Sequence, residues 1–293
     1  MPGERLPART VPYLKRRVSP ASFPGRDRYV TLASVHHLRR PMTDRPATVE
    51  IPHAEAGRWH PVLPSSHLPA AAAQQASCPM LGFFEGEELA LWRADDGTAQ
   101  AWANRCPHRG LRFTLGRVAN GRLSCGYHGW EYQAGDGRCV AIPAHPALTV
   151  PRAICATTFR TAEVDSIVWV SRAVSGGPPP ATGIRTILRT LGVRASHAAV
   201  AQALSGRGWT QAAPDVFTGE LAGHGAVLLP AGAGDSLTLL HAGLVETPDP
   251  ANLPGLHAAL RMLRSMLETP QLETALIESP LPEAAPAEPG AAQ

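Results

Sequence analysis

Cys106-Pro107-His108-Arg109-Gly110 and, further along, Cys125-Gly126-Tyr127-His128-Gly129-Trp130 are the stretches on which the reading of this chain turns. Each supplies one thiol and one imidazole, and 16 residues separate His108 from Cys125. In short form this is C-x-H, the gap, then C-x-x-H. Four sulfur and nitrogen ligands can build a tetrahedral zinc site, but zinc fingers pair Cys with Cys over about two to four residues and His with His over about three to five. Here each segment pairs unlike ligands at shorter spacing, which suits two metal atoms lying side by side between two loops. Pro107 stiffens the first loop by fixing its φ. Gly110, Gly126 and Gly129 are expected to permit the backbone conformations that wrap N–H groups around such a centre.

A Rieske [2Fe–2S] centre has this ligand set, with two Cys on one iron and two His on the other. Cys106 and Cys125 would then hold the inner iron and His108 and His128 the outer one. Pro107, Arg109, Gly110, Gly126, Tyr127, Gly129 and Trp130 would surround them. The two segments resemble the cluster-binding loops of the Rieske-type ring-hydroxylating and O-demethylating oxygenases. The resemblance continues in order through GRWHPVLPSSHLP from Gly57, LALWRADDGTAQAWANRCPHRG from Leu89, GRCVAIPA from Gly137 and DSIVWVS from Asp165. It implies a [2Fe–2S] cofactor carrying single electrons at a potential of about −150 to +300 mV, above the roughly −400 mV of all-Cys plant-type clusters. It also implies a reductase or ferredoxin as donor, and imidazoles near the surface. Respiratory Rieske proteins share the ligand spacing but carry a further Cys in each loop, joined as a disulfide, and a membrane anchor; neither loop here has a second Cys. Gly126 stands where the oxygenases often have Pro, which is expected to loosen the second loop. A structural zinc protein remains the remote alternative.

Outward from the loops, residues 57–172 read as an all-β domain. Leu89–Arg93 and Gln100–Ala103 form strand-like runs around the turn signal Asp95-Asp96-Gly97. Leu123–Cys125 and Glu131–Gln133 flank the second loop, Gly135-Asp136-Gly137 marks a turn, and Val164–Ser171 fits one closing strand. Residues 173–183 (AVSGGPPPATG) read as a linker. Residues 184–278 read as a shortened helix-over-sheet domain, making the whole α+β. Its elements are a helix around Ser196–Leu204, strands at Phe217–Leu221, Ala226–Leu229 and Ser236–Leu240, and an amphipathic helix whose face is Leu253, Leu256, Leu260, Leu263 and Leu267. Residues 279–293 read as a disordered tail.

In the oxygenases a second domain holds a mononuclear non-haem Fe(II) on two His and one carboxylate, from a segment such as D-x-x-H-x4-H. That segment is not found here. Beyond residue 171 the histidines are His197, His224, His241 and His257, too scattered to form it, although Asp215, His224 and His241 could converge. The iron is therefore an unsupported expectation and the catalytic residues are unknown. Two functional readings stay open: a component of an oxygenase-like system acting on a small aromatic or other apolar substrate, in the family's homotrimeric form, or an electron-transfer or regulatory protein that has lost the iron. Cys78, Cys139 and Cys155 are expected to be ordinary thiols.

The 27 Lys and Arg outnumber the 24 Asp and Glu, for a formal charge of +3. Residues 1–41 alone carry a balance of +7 and the remainder −4. The basic excess thus belongs to the leader and gives no reason to expect nucleic acid or membrane partners. The leader reads as a targeting segment, a disordered basic arm, or an extension upstream of a true start at Met42. It has no apolar core of a secretory signal, and no run approaches the roughly 18 apolar residues of a membrane span. A cytoplasmic location is expected.

Overall fold

The computed structural model describes residues 57–70 and 76–269. The leader and the tail lie outside them. All described residues belong to one unit. In order they form β1 (His60–Pro64), β2 (Met80–Phe84), β3 (Glu87–Arg93), β4 (Ala99–Ala103), β5 (Arg117–Ala119), β6 (Arg122–Ser124), β7 (Glu131–Gln133), β8 (Cys139–Ala141), β9 (Thr158–Val164) and β10 (Ile167–Ser171). After the 173–183 segment come β11 (Thr186–Val193), α1 (His197–Ser205), β12 (Thr210–Ala213), β13 (Val216–Leu221), β14 (His224–Gly234), β15 (Leu237–Leu244) and α2 (Leu253–Glu268).

Three antiparallel sheets result. A six-stranded sheet runs β1-β10-β9-β4-β3-β2, a four-stranded sheet β5-β6-β7-β8, and a five-stranded sheet β11-β15-β14-β13-β12. The four-stranded sheet is an excursion: the chain leaves the large sheet after β4 and rejoins it at β9, and both Cys/His segments lie within this excursion. The β3–β4 hairpin turns where expected, with Gly97 at φ 83° and the Asp96 carboxylate accepting from the Thr98 N–H at 2.9 Å.

Two expectations need correction. Val164–Ser171 is not one strand: Val164 ends β9, Asp165 and Ser166 turn the chain, and Ile167–Ser171 is β10. Asp165 and Ser166 both take left-handed φ, 50° and 64°, as a two-residue primed turn requires. The Asp165 carboxylate earns its place by accepting from the N–H groups of Thr182 at 2.6 Å and Gly183 at 2.8 Å. The strands β14 and β15 also run well past the expected limits. Pro230 does not end β14, because β13 pairs only as far as Leu228 and the ladder there is to β15 alone; Pro is tolerated at such an edge. The 173–183 segment is irregular, as its composition implies, yet it is pinned: the Trp59 indole N–H donates to the Gly177 carbonyl at 2.9 Å.

Alternation along two strands explains the layering. In β10, Val168 and Val170 enter the core of the six-stranded sheet, while Ile167 and Trp169 face the five-stranded sheet. In β14, Val227 and Leu229 meet Trp169 and Ile167, while Ala226 and Leu228 face the helices. The period of two thus gives both strands a buried face on each side. The helices close the outer layer. Ser196 caps α1 by accepting from the Ala199 N–H at 3.2 Å, and α2 buries Leu256, Leu260, Leu263 and Leu267, as their spacing predicted.

His241 lies opposite Leu229 in the register and so shares the face turned toward the six-stranded sheet. It is fully buried. Its Nδ1 meets Thr190 Oγ1 at 2.9 Å, while its Nε2 has no partner. Burial pushes its pKa down from 6.5 to about 4, and the nearby Val62 backbone offsets little of this. On acidification the unfolded chain therefore binds this proton first. Stability should be full above about pH 6.5 and fall progressively toward pH 4, by on the order of 3 kcal/mol from this group. Denaturant titrations of wild type and His241→Gln across that window should show a flatter pH dependence in the variant. Some slope should remain, because burial also lowers the pKa of His60.

Candidate metal centre

The two Cys/His segments fold into near-identical loops. In the first, the Cys106 N–H donates to the Leu111 carbonyl at 2.8 Å and the Gly110 N–H to the Cys106 carbonyl at 2.7 Å. In the second, the Cys125 N–H donates to the Trp130 carbonyl at 2.9 Å and the Gly129 N–H to the Cys125 carbonyl at 3.0 Å. Each loop thus closes from its Cys to the fifth residue beyond, through a glycine at the fourth. Gly110 and Gly129 sit at φ 73° and 68°, where a side chain is strained. Gly126 is needed for a different reason from the one expected. Its φ is ordinary, but a Cβ there would stand 2.3 Å from the Leu115 carbonyl oxygen. The second loop is pressed against the chain that leaves the first, so Gly126 tightens the site rather than loosening it.

The loops bring all four expected ligands together in two pairs. Cys106 and Cys125 are buried, at 2% and 5% exposure. They sit on a floor of edge-to-face aromatics, Trp102, Phe113 and Tyr132, with ring centroids 5.2 to 6.5 Å apart. His108 and His128 lie toward the surface, their Nδ1 atoms 3.2 Å apart. Each ring is held by an aromatic of the second loop: Trp130 stacks on His108 at 4.1 Å and 5°, and Tyr127 on His128 at 3.7 Å and 27°. With both Nδ1 atoms turned inward, the Nε2 atoms point away from the pair.

Burial pushes the Cys125 thiol up, and the adjacent Cys106 sulfur raises it further; a bound metal would hold both as thiolates. Desolvation, then His128 and the Arg109 guanidinium, push the His108 imidazole down, which favours the neutral ring that a metal requires. The division into two buried sulfurs and two imidazoles toward the surface fits a two-iron cluster with a different ligand pair on each iron.

One contributor escaped the sequence reading. The Tyr132 hydroxyl lies 3.2 Å from Cys106 Sγ, buried beneath the loops. The available signal was its place as the lone inward residue of the short strand Glu131–Gln133, two positions beyond Trp130.

The other candidates do not join the centre or one another. Cys139 is buried and its pKa raised to about 11, chiefly by desolvation; Cys78 and Cys155 are exposed thiols. Asp215, His224 and His241 do not converge. His224 pairs with Glu246 at 2.6 Å and His241 faces the sheet interface, while His257 is half-buried on α2. Asp215, 3% exposed, receives Arg58 Nη2 on both oxygens at 2.9 and 3.0 Å and His197 Nε2 at 2.8 Å. Its carboxylate is thereby committed to holding the first domain against the second. His60 Nδ1 also lies 3.4 Å from Asp215 Oδ2, but Arg58 already occupies both carboxylate oxygens, and among the described residues no three His, Cys, Asp or Glu are placed to hold the mononuclear iron of the oxygenases.

Comparison with known proteins agrees with this geometry. Residues 58–154 match the Rieske [2Fe-2S] domain. Oxidoreductase NdmD of Pseudomonas putida is 38% identical over 125 residues, which are 43% of this chain and 20% of that protein. The 3-chlorobenzoate-3,4-dioxygenase oxygenase subunit of Comamonas testosteroni is 34% identical over 113 residues, 38% of this chain and 25% of that protein. Protein TIC 55 of Arabidopsis thaliana, named as chloroplastic, is 32% identical over 123 residues, 42% of this chain and 22% of that protein. The chain thus spans about a quarter or less of these relatives. Among solved structures, dicamba monooxygenase matches with a TM-score of 0.58 at 18% identity, covering 76% of this chain and 89% of that one. Pseudomonas putida CBB5 NdmA matches with a TM-score of 0.54 at 20% identity, covering 80% and 84%. At these identities the structural likeness is one of fold. The chain carries a Rieske [2Fe–2S] domain, with homologues among the ring-hydroxylating and demethylating oxygenases.

Against a thiolate, only the Tyr132 hydroxyl can donate, and a bond to sulfur favours the oxidised state less than the more negative reduced one. Tyr132→Phe should therefore lower the cluster's midpoint potential by roughly 50 mV, the one-electron equivalent of about 1 kcal/mol, in redox titrations that leave the ligand set intact.

Proposed function

We propose that this chain is a one-electron carrier of a Rieske oxygenase-like system, with Cys106, His108, Cys125 and His128 as the ligands of its [2Fe–2S] cluster. The observation that carries this is the pair of twin loops presenting two buried sulfurs below two surface imidazoles. The cluster, when bound, supplies reversible one-electron redox chemistry. The chain's own residues set its terms. The thiols anchor it on the side away from water, and the imidazoles give a docked donor the shortest path in. Trp130 and Tyr127 fix the two rings and shield a face of each. The Tyr132 hydroxyl holds its proton toward Cys106 Sγ.

A reductase or ferredoxin supplies the electron in this reading. The accepting centre lies on a partner, because the described residues of this chain do not fit a mononuclear iron. That misfit favours the electron-transfer reading over one in which this chain itself oxidises a small apolar substrate. All five cysteines are free, and among the described residues no helix is long and apolar enough to cross a membrane. A cytoplasmic location belongs to the same proposal.

Purified protein should contain two irons and two acid-labile sulfides per chain, with the EPR spectrum of a reduced Rieske centre. Cys106→Ser and His128→Ala should each abolish that spectrum. Its persistence in both variants would overturn the ligand assignment, and a third iron per chain together with product from a reduced single turnover would overturn the carrier reading.

A further inference from the structure

The charge around the two loops is one-sided in a way the chain's overall balance conceals. Between Asp96 and Glu131 lie 34 residues without a single carboxylate, and five arginines stand among them: Arg105, Arg109, Arg112, Arg117 and Arg122. All five are exposed. Two are answered by carboxylates from outside the stretch. Arg112 meets Glu88 at 2.7 Å and Arg122 meets Glu131 at 3.1 Å. Arg105, Arg109 and Arg117 have no carboxylate partner among the described residues, and each borders a loop. Arg109 follows His108 directly. Arg105 lies across the first loop, its Nε 3.3 Å from where a Cβ on Gly110 would stand. Arg117 shares with Leu115, Gly126 and Gly129 the depression beside the second loop. Within this collar two large apolar side chains stand in the open, Leu115 at 64% exposure and Tyr127 at 59%.

An apolar centre with a charged rim is the anatomy of a transient protein interface, and unpaired rim charges govern encounter more than final affinity. From the unpaired arginines around the exposed imidazoles, we propose that the loop face docks a one-electron carrier protein with an acidic surface, and that Arg105, Arg109 and Arg117 steer it. This rests on the carrier reading above and specifies the partner's chemistry. In the step itself one electron passes from the reduced carrier, which is oxidised, to the oxidised chain, which is reduced, and no bond is made or broken. The direction is downhill from a plant-type [2Fe–2S] ferredoxin at roughly −400 mV to a Rieske centre at about −150 mV or higher.

Stopped-flow reduction of the full holoprotein by a reduced, acidic plant-type [2Fe–2S] ferredoxin tests this. The bimolecular rate constant should fall about tenfold between low salt and about 0.3 M NaCl, as screening shortens the reach of the rim charges. The triple variant R105Q/R109Q/R117Q should lose about tenfold at low salt and show a flattened salt dependence. The pair R105Q/R117Q, which leaves the residue next to His108 in place, should show a smaller loss in the same direction. The triple variant R185Q/R189Q/R261Q removes equal charge from the second domain and should change the rate less than about twofold. Equal effects of the two triple variants would mean that net charge alone is felt and would overturn the proposal. So would a loop face buried against a second copy of this chain, seen as an oligomer in sedimentation that dissociates in R105Q/R109Q/R117Q. Loss of the Rieske EPR signal from wild type itself would mark failure of the carrier reading instead, so the two failures are distinguishable.

Discussion

Everything distinctive about this molecule depends on two loops being closed by the same pair of backbone hydrogen bonds. Closure from each Cys to the fifth residue beyond fixes where the sulfur sits relative to the strand behind it. Because both loops close alike, both sulfurs come to the same depth, above the same aromatic floor. The His falls two residues after Cys106 but three after Cys125, yet closure through Gly110 and Gly129 turns both imidazoles the same way. Close approach at Gly126 then presses the second loop against Leu115, on the chain that leaves the first. Pairs of polar ligands could not be brought together so near an apolar core without such closure, since every loop N–H and carbonyl left unpaired there would carry a desolvation cost of about 1–3 kcal/mol.

The rest of the fold supplies the platform. The excursion that carries the loops is anchored to the six-stranded sheet, and that sheet is backed by the five-stranded one through Trp169 and Ile167. A buried carboxylate reinforces the contact. Asp215 would be costly to bury alone; it is accepted because Arg58 covers both its oxygens and His197 a third approach. Burial alone pushes its pKa up, but the His197 bond and the charges of His197, Arg58 and His60 outweigh this and hold it down. Such a pair adds little over a well-packed apolar contact. Removing one partner, however, leaves an uncompensated buried charge at a cost of roughly 3–5 kcal/mol. Its contribution is therefore to hold one relative placement of the two domains.

How much of this was legible beforehand divides along physical lines. The meeting of the four Cys and His side chains, the glycines at the loop ends, the β3–β4 turn and the apolar face of α2 were readable, because each follows from local chemistry or from a short period. The β9–β10 hairpin was hidden, since Asp165-Ser166 lacks the glycine that usually marks a left-handed turn and its support comes from Thr182 and Gly183 across the linker. The length of β14 was hidden for a similar reason: Pro230 is a strand breaker only where a neighbour needs its N–H, and pairing with β13 is a tertiary fact. Tyr132 at the sulfur and Arg58 at Asp215 join residues 26 and 157 positions apart, beyond any spacing rule.

The second domain backs the first. Leu191, Val193, Val200, Leu204, Trp209, Phe217, Leu228, Leu240, Leu256 and Leu260 pack between its sheet and its helices, and such a seal offers a metal no ligand. Among the described residues the one fully buried histidine, His241, lies on the other face of the sheet. An interior of this kind is stiff, because close-packed side chains leave little room for rearrangement and an unpaired polar group within it would carry a desolvation cost. Held on that backing, the two loops keep their spacing, and in the carrier reading proposed above their acid-free surroundings are the face that a partner protein meets.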